Sequence, residues 1–240
     1  MRYEGYELDY PVSAAQSAAS ERAAFIRRVY AHLAGAVLAL IGIVALLLNI
    51  LDAEQKTSIV RLMMGSQMNW LVVLLLFMGA GWLAQIWAQS RSSREMQYMG
   101  LGLYVVAWAV LFLPLLIVAS GFAPNVIPQA GILTGAVFGG LTLVVFVTKK
   151  DFSFLGPVLS VGTLIALGVI VAGILFGFTL GLFFCFAMVA LISGSILYNT
   201  SNVMLHYPTD MHVAAALELF ASIATLFWYV LQILMSLNRD

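Results

Sequence analysis

Charged residues are scarce in this chain. Only 9% of its 240 residues are Asp, Glu, Lys or Arg, against 62% hydrophobic, a balance that excludes a water-soluble domain and leaves an integral membrane protein. Cysteine is scarcer still. The lone Cys185 rules out an intramolecular disulfide and a thiolate metal cluster, and its apolar setting reads as small core filler. Formal net charge is zero and no basic run interleaves with aromatics, so nothing points to nucleic acid. Lysine occurs only at Lys56, Lys149 and Lys150, none inside a predicted span, which excludes a retinal Schiff base within the membrane. HExxH, GxSxG, a glycine-rich phosphate loop and an intramembrane aspartate pair are all missing, so the chain reads as a non-enzyme with no cofactor, catalytic or metal site. The three scattered histidines, His32, His206 and His212, lack metal-site spacing. The first twenty residues have no apolar stretch of the signal-peptide kind.

What is present in abundance is long apolar runs. A membrane span needs about 20 mostly apolar residues, and that rule predicts an all-α polytopic fold with seven spans at 24–50, 69–89, 98–120, 127–147, 154–176, 178–199 and 212–236. Residues 1–22 read as a disordered cytoplasmic tail and 23–240 as one compact transmembrane domain. The fifth and sixth spans are barely separated, and Gly173, Gly177 and Gly181 place a tight turn there, although the same spacing is also a helix-packing motif. Gly131, Gly135 and Gly139 form two GxxxG steps that predict close approach of another helix to the fourth span. Seven spans put Arg2, Arg22, Arg27, Arg28, Arg91, Arg94, Lys149 and Lys150 on one side and Lys56, Arg61 and Arg239 on the other. Eight against three predicts a cytoplasmic N-terminus and an external C-terminus.

The seventh span carries a polar stripe. Glu218, Ser222, Thr225, Tyr229, Gln232 and Ser236 follow spacings of 4, 3, 4, 3 and 4, which aligns them on one helix face. Unpaired polar groups in hydrocarbon are costly, so this face should point into the bundle. A shorter stripe, Ser195, Asn199 and Asn202, lies on the sixth span. An antiparallel hairpin would set Asn199 level with Glu218 and Ser195 level with Ser222. Two readings of Glu218 stand: a carboxylate that snorkels or hydrogen-bonds Asn199, and a cation or proton site. In the loop between the spans, His206 is either solvated at the interface or, with Asp210, part of a pH-responsive loop, and Asp210 reads mainly as a turn and helix-capping residue. His32 reads as a helix-packing donor.

FIRRVYAHLAGAVLAL, TKKDFSFLGPVL and YNTSNVMLHYPTDMHVAAALELFASIATLFWYVLQIL resemble the transmembrane Bax inhibitor motif, or Bax inhibitor-1, family. The resemblance implies a central last helix surrounded by the other six, and a pH-sensitive calcium leak through a membrane, in bacteria the inner membrane. It also implies a sensor made of two aspartates that share a proton. Here Asn199 stands at the first aspartate position and Ser222 at the second, and Thr225 occupies a position commonly Asn. Glu218, one turn before Ser222, could supply a single displaced carboxylate.

Two functions follow. One is a leak pathway for calcium or another cation, lined by Glu218, Asn199 and Ser222. The other is a non-transporting regulator or assembly partner of a membrane protein, since some bacterial relatives are linked to membrane-anchored AAA proteases.

Overall fold

Apolar runs of this length can satisfy their backbone groups in hydrocarbon only by closing them into helices. The computed structural model, described for residues 13–90, 93–122 and 125–238, contains eight α-helices in that range: α1 (Ala19–Ile50), α2 (Ala53–Met64), α3 (Gln67–Ala88), α4 (Arg94–Phe122), α5 (Val126–Thr148), α6 (Gly156–Phe176), α7 (Gly181–Leu205) and α8 (His212–Leu237). All except α2 are long and apolar enough to cross a membrane, which gives the seven predicted spans.

Local chemistry explains the boundaries. The α6–α7 turn rests on Gly177 at φ 75° and Gly181 at φ 65°, a left-handed backbone that only glycine adopts freely, so these glycines make a turn. Helix α2 occupies the connection between the first two predicted spans. Asp52 accepts from the Gln55 backbone at 2.8 Å while Gln55 answers to the Asp52 N–H at 3.0 Å, a capping box that starts the helix. At its far end α7 runs to Leu205, about two turns past the predicted end, so Asn202 is helical and the following loop shrinks to 206–211.

Helix α8 is central. In its most apolar window 67% of residues are buried, against 61% for α4 and 11–22% for the others. It packs on α1, α3, α4, α5 and α7, while α6 lies against α7 and α3 without reaching it. Lipid is as apolar as leucine, so packing rather than the hydrophobic effect holds such helices together. On the α4 side, aromatic rings supply that packing. Phe112 meets Phe227 edge-on at 5.3 Å and stacks on Trp228 at 5.8 Å, and Tyr104 meets Phe220 at 6.0 Å; each such pair contributes about 0.5–1.5 kcal/mol beyond its buried area. The polar stripe is thereby turned toward α7.

The glycine steps of α5 do something other than expected. Gly131, Gly135 and Gly139 have no neighbouring atom within 4 Å of where a Cβ would sit, so among the described residues no helix packs closely on this glycine face. Gly131 and Gly135 instead line an apolar groove of about 500 Å³ between α1 and α5.

Part of the expected tail is built into the fold. Residues 19–22 open α1, and Ser13 pairs with Pro208 as an antiparallel bridge. The Ala14 N–H donates to the Tyr207 carbonyl at 2.9 Å and the Ala15 N–H to that of Leu205 at 3.3 Å, with Ala14 fully buried. The remainder of that tail, 1–12, lies outside the described residues, as do Arg91 and Arg239 of the charge count. A bulky side chain at position 14 cannot keep these contacts. In Ala14→Trp, amide exchange at residues 14, 15, 206, 207 and 209–211 should accelerate about tenfold, equivalent to ~1.4 kcal/mol; unchanged exchange would show that the segment does not hold the loop.

Candidate functional site

The α7–α8 hairpin assembles the site. Because α6 stands clear of α8, a cavity of about 440 Å³ opens beside the hairpin, with Gln85 of α3 and Thr163 of α6 on its walls. Ser195, Asn199 and Asn202 of α7 and Glu218, Ser222 and Thr225 of α8 line it, so the structure brings the short stripe together with the first three residues of the long one. At about 30 Å³ per water the cavity has room for on the order of fifteen waters.

The hydrogen bonds correct the expected register. Asn199 Nδ2 donates to Ser222 Oγ at 3.1 Å, one turn deeper than the predicted match to Glu218. The Glu218 carboxyl is held by Tyr207, whose hydroxyl donates to Oε1 at 2.5 Å. Burial, followed by the neighbouring Glu218 charge, pushes the Tyr207 pKa far above its ordinary value, which keeps the phenol protonated as a donor. Tyr207 was missed in the sequence because it sits in a loop, outside any periodic pattern. Gln85 and Thr163 were missed because each is a lone polar residue in an apolar run.

Three of the lining hydroxyls share one orientation. Ser195 Oγ donates to Leu191 O at 3.2 Å, Ser222 Oγ to Glu218 O at 3.1 Å and Thr225 Oγ1 to Ala221 O at 2.7 Å. Each proton is thus directed at the helix's own carbonyl four residues back. Those three oxygens keep lone pairs free to accept, whereas the amides of Asn199, Asn202 and Gln85 offer both N–H donors and carbonyl acceptors. With one carboxyl and no basic side chain in it, the lining suits a cation better than an anion.

Beyond Thr225 the stripe closes. Tyr229 is buried and meets Phe184 at 6.1 Å, and Cys185 Sγ approaches Gln232 Oε1 at 3.6 Å, while Ser236 is exposed. The polar path therefore ends inside the bundle. Glu218 lies six residues into α8, roughly 9 Å from its start, and Thr225 roughly 20 Å, at 1.5 Å per residue.

At the loop end the two quoted motifs meet. Asp151 of DFSFLG accepts from the Ser153 N–H at 2.8 Å and, at the outer limit of hydrogen bonding, from Ser201 Oγ at 3.5 Å, and the Phe152 N–H donates to Ser201 Oγ at 2.9 Å. His206 Nε2 lies 3.4 Å from Asp151 Oδ2, both about half exposed. Asp210 does not cap α8: the helix start has no side-chain cap bond and Asp210 is exposed. His32 does act as a packing donor. Its Nδ1 faces the Arg28 carbonyl at 2.7 Å, which can only accept, so Nδ1 donates there, and Nε2 lies 3.2 Å from the Tyr98 hydroxyl of α4. His212, at the start of α8, packs 4.9 Å from the His32 ring.

The backbone N–H of Ser153, with smaller help from its hydroxyl, His206 and Ser201, holds the Asp151 carboxyl below the usual carboxylate range. A folded-state pKa below the unfolded one means that this carboxylate's contribution is complete above the unfolded value and is lost as pH falls through the depressed folded value. Protection of the Ser153 amide, corrected for intrinsic exchange, should therefore persist down to about pH 4 and fall at lower pH. Asp151→Asn should remove that acid step; the same step in the variant would assign it to another group.

Comparison with known proteins follows this geometry. A stretch of the Vibrio cholerae "uncharacterized membrane protein" is 35% identical over 118 residues, covering 49% of this chain and 52% of that one. Protein LIFEGUARD 4 of Arabidopsis thaliana is 36% identical over 144 residues, 57% of this chain and 56% of its own, and mouse protein lifeguard 4 is 33% identical over 115 residues, 46% and 47% respectively. The matched stretches thus span about half the length of these relatives. A sequence model for the family described as inhibitor of apoptosis-promoting Bax1 matches residues 22–239, nearly the whole chain, and with it the chain belongs to the Bax inhibitor-1 family of membrane proteins.

Proposed function

We propose that this protein is a cation leak pathway of the inner membrane, with its N-terminus cytoplasmic and Glu218 as the charged group of its cytoplasmic vestibule. The observation that carries the reading is the lining: one carboxylate, no basic residue, and three hydroxyls whose protons are spent on their own helices, around a cavity of about 440 Å³. Asn199 and Ser222, at the places where the family resemblance implies aspartates, bond to each other and act as neutral ligands. Protonation of Glu218 would remove the vestibule's charge, so pH would act through a single carboxylate rather than a shared-proton pair. Tyr229 and Phe184 would be the barrier that must shift for conduction.

A second reading has its own observation. The open glycine face of α5 beside the α1–α5 groove suits a helix of another membrane protein, as a non-transporting regulator of, for example, a membrane-anchored AAA protease would require.

Cation flux into liposomes carrying the purified protein, followed from about pH 5 to 8, separates the two. The leak reading expects flux above empty vesicles, a reduction of about tenfold in Glu218→Gln, and a flattened pH profile in that variant. Gln keeps an acceptor for Tyr207, so the fold should survive. Flux that is unaffected by the substitution would remove Glu218 from the path, and flux no greater than in empty vesicles would favour the regulator.

A further inference from the structure

The charge count of the vestibule bears on which cation it takes, an inference that rests on the leak reading. Glu218 is the one charged residue among those lining the cavity. Among the described residues no three His, Cys, Asp or Glu side chains come together as a metal-binding group. Asp151 and Asp210 at the loop end both lie outside the lining, and Asp151 is engaged by Ser153, Ser201 and His206.

The cost of taking an ion out of water grows with the square of its charge, whereas its attraction to one fixed carboxylate grows only in proportion to that charge. A single carboxylate can therefore offset a monovalent ion and leaves a divalent one in deficit. Neutral oxygens narrow the deficit without closing it, and calcium sites ordinarily gather six to eight oxygens, several of them from carboxylates. The oxygens of the lining are the Glu218 carboxyl, the amide carbonyls of Gln85, Asn199 and Asn202, and the hydroxyls of Thr163, Ser195, Tyr198, Tyr207, Ser222 and Thr225, so neutral oxygens are plentiful but only one group can carry a charge. Part of even that charge is engaged, since Tyr207 donates to Glu218 Oε1.

We propose that the vestibule is a site for one monovalent alkali cation and selects against calcium, with Glu218 setting the charge and Asn199 and Ser222 setting the selectivity. A carboxylate at position 199 would sit beside Ser222, one turn from Glu218 on the same cavity wall, and would raise the fixed charge to two.

The test measures potassium and calcium uptake in the same liposome preparation, for the wild type and for Asn199→Asp, with helix content checked by circular dichroism. The wild type should pass potassium at least about tenfold faster than calcium, and Asn199→Asp should shift that ratio toward calcium by about tenfold. Calcium uptake equal to or above potassium in the wild type would overturn the monovalent assignment while leaving the leak reading intact. An unchanged ratio in a folded Asn199→Asp would also overturn it. If that variant does not fold, the wild-type ratio alone decides. No uptake of either ion would overturn the leak reading and this inference together.

Discussion

A carboxylate placed in hydrocarbon must find its partners inside the protein, and the loop end of this bundle is arranged around that requirement. Glu218 receives the Tyr207 hydroxyl. Tyr207 can deliver it because its loop is short, is bonded back to Asn202 at the end of α7, and is overlaid by Ala14. Ser222 then links the carboxylate's own helix to Asn199 on α7. One polar chain thus runs from the loop into the membrane along the α7–α8 seam, and the aromatic packing on α4 holds the opposite face of α8 still.

The same constraint explains why two distant motifs are neighbours. Ser201 follows two residues after Asn199 on α7 and accepts from the Phe152 N–H, so the turn into α6 is anchored on the helix that carries the cavity. That anchoring fixes α6 at its loop end against α7 and leaves it clear of α8. The gap between α6 and α8 is the cavity. The vestibule is therefore a consequence of where α6 is tied down, as well as of which residues face inward.

Much of this was legible in the sequence, because spans and stripes depend on local periodicity. The seven apolar runs and the 4-3-4-3-4 spacing required no knowledge of neighbours. The identity of Glu218's partner did require it. Counting outward from the loop centre put Asn199 level with Glu218, but α7 continues two turns further than its apolar run, which shifts the pairing by one turn and brings Tyr207 into reach. The α5 glycines show the opposite failure: their spacing is a packing signal, yet spacing cannot say whether a helix of the same chain is there to use it. Helix α2 had a readable start, Asp52 with Gln55, hidden only by its low hydrophobicity.

The central claim is that Tyr207 and Glu218 are coupled, and a double-mutant cycle tests it most directly. Tyr207→Phe removes the donor and Glu218→Met removes the acceptor at similar volume, and reversible unfolding in detergent micelles gives the four stabilities. The structure predicts a coupling of about 1–2 kcal/mol, between the values for hydrogen bonds to charged groups and those measured inside membranes. Strictly additive effects of the two substitutions would contradict it, and with it the account of how this helix keeps its carboxylate.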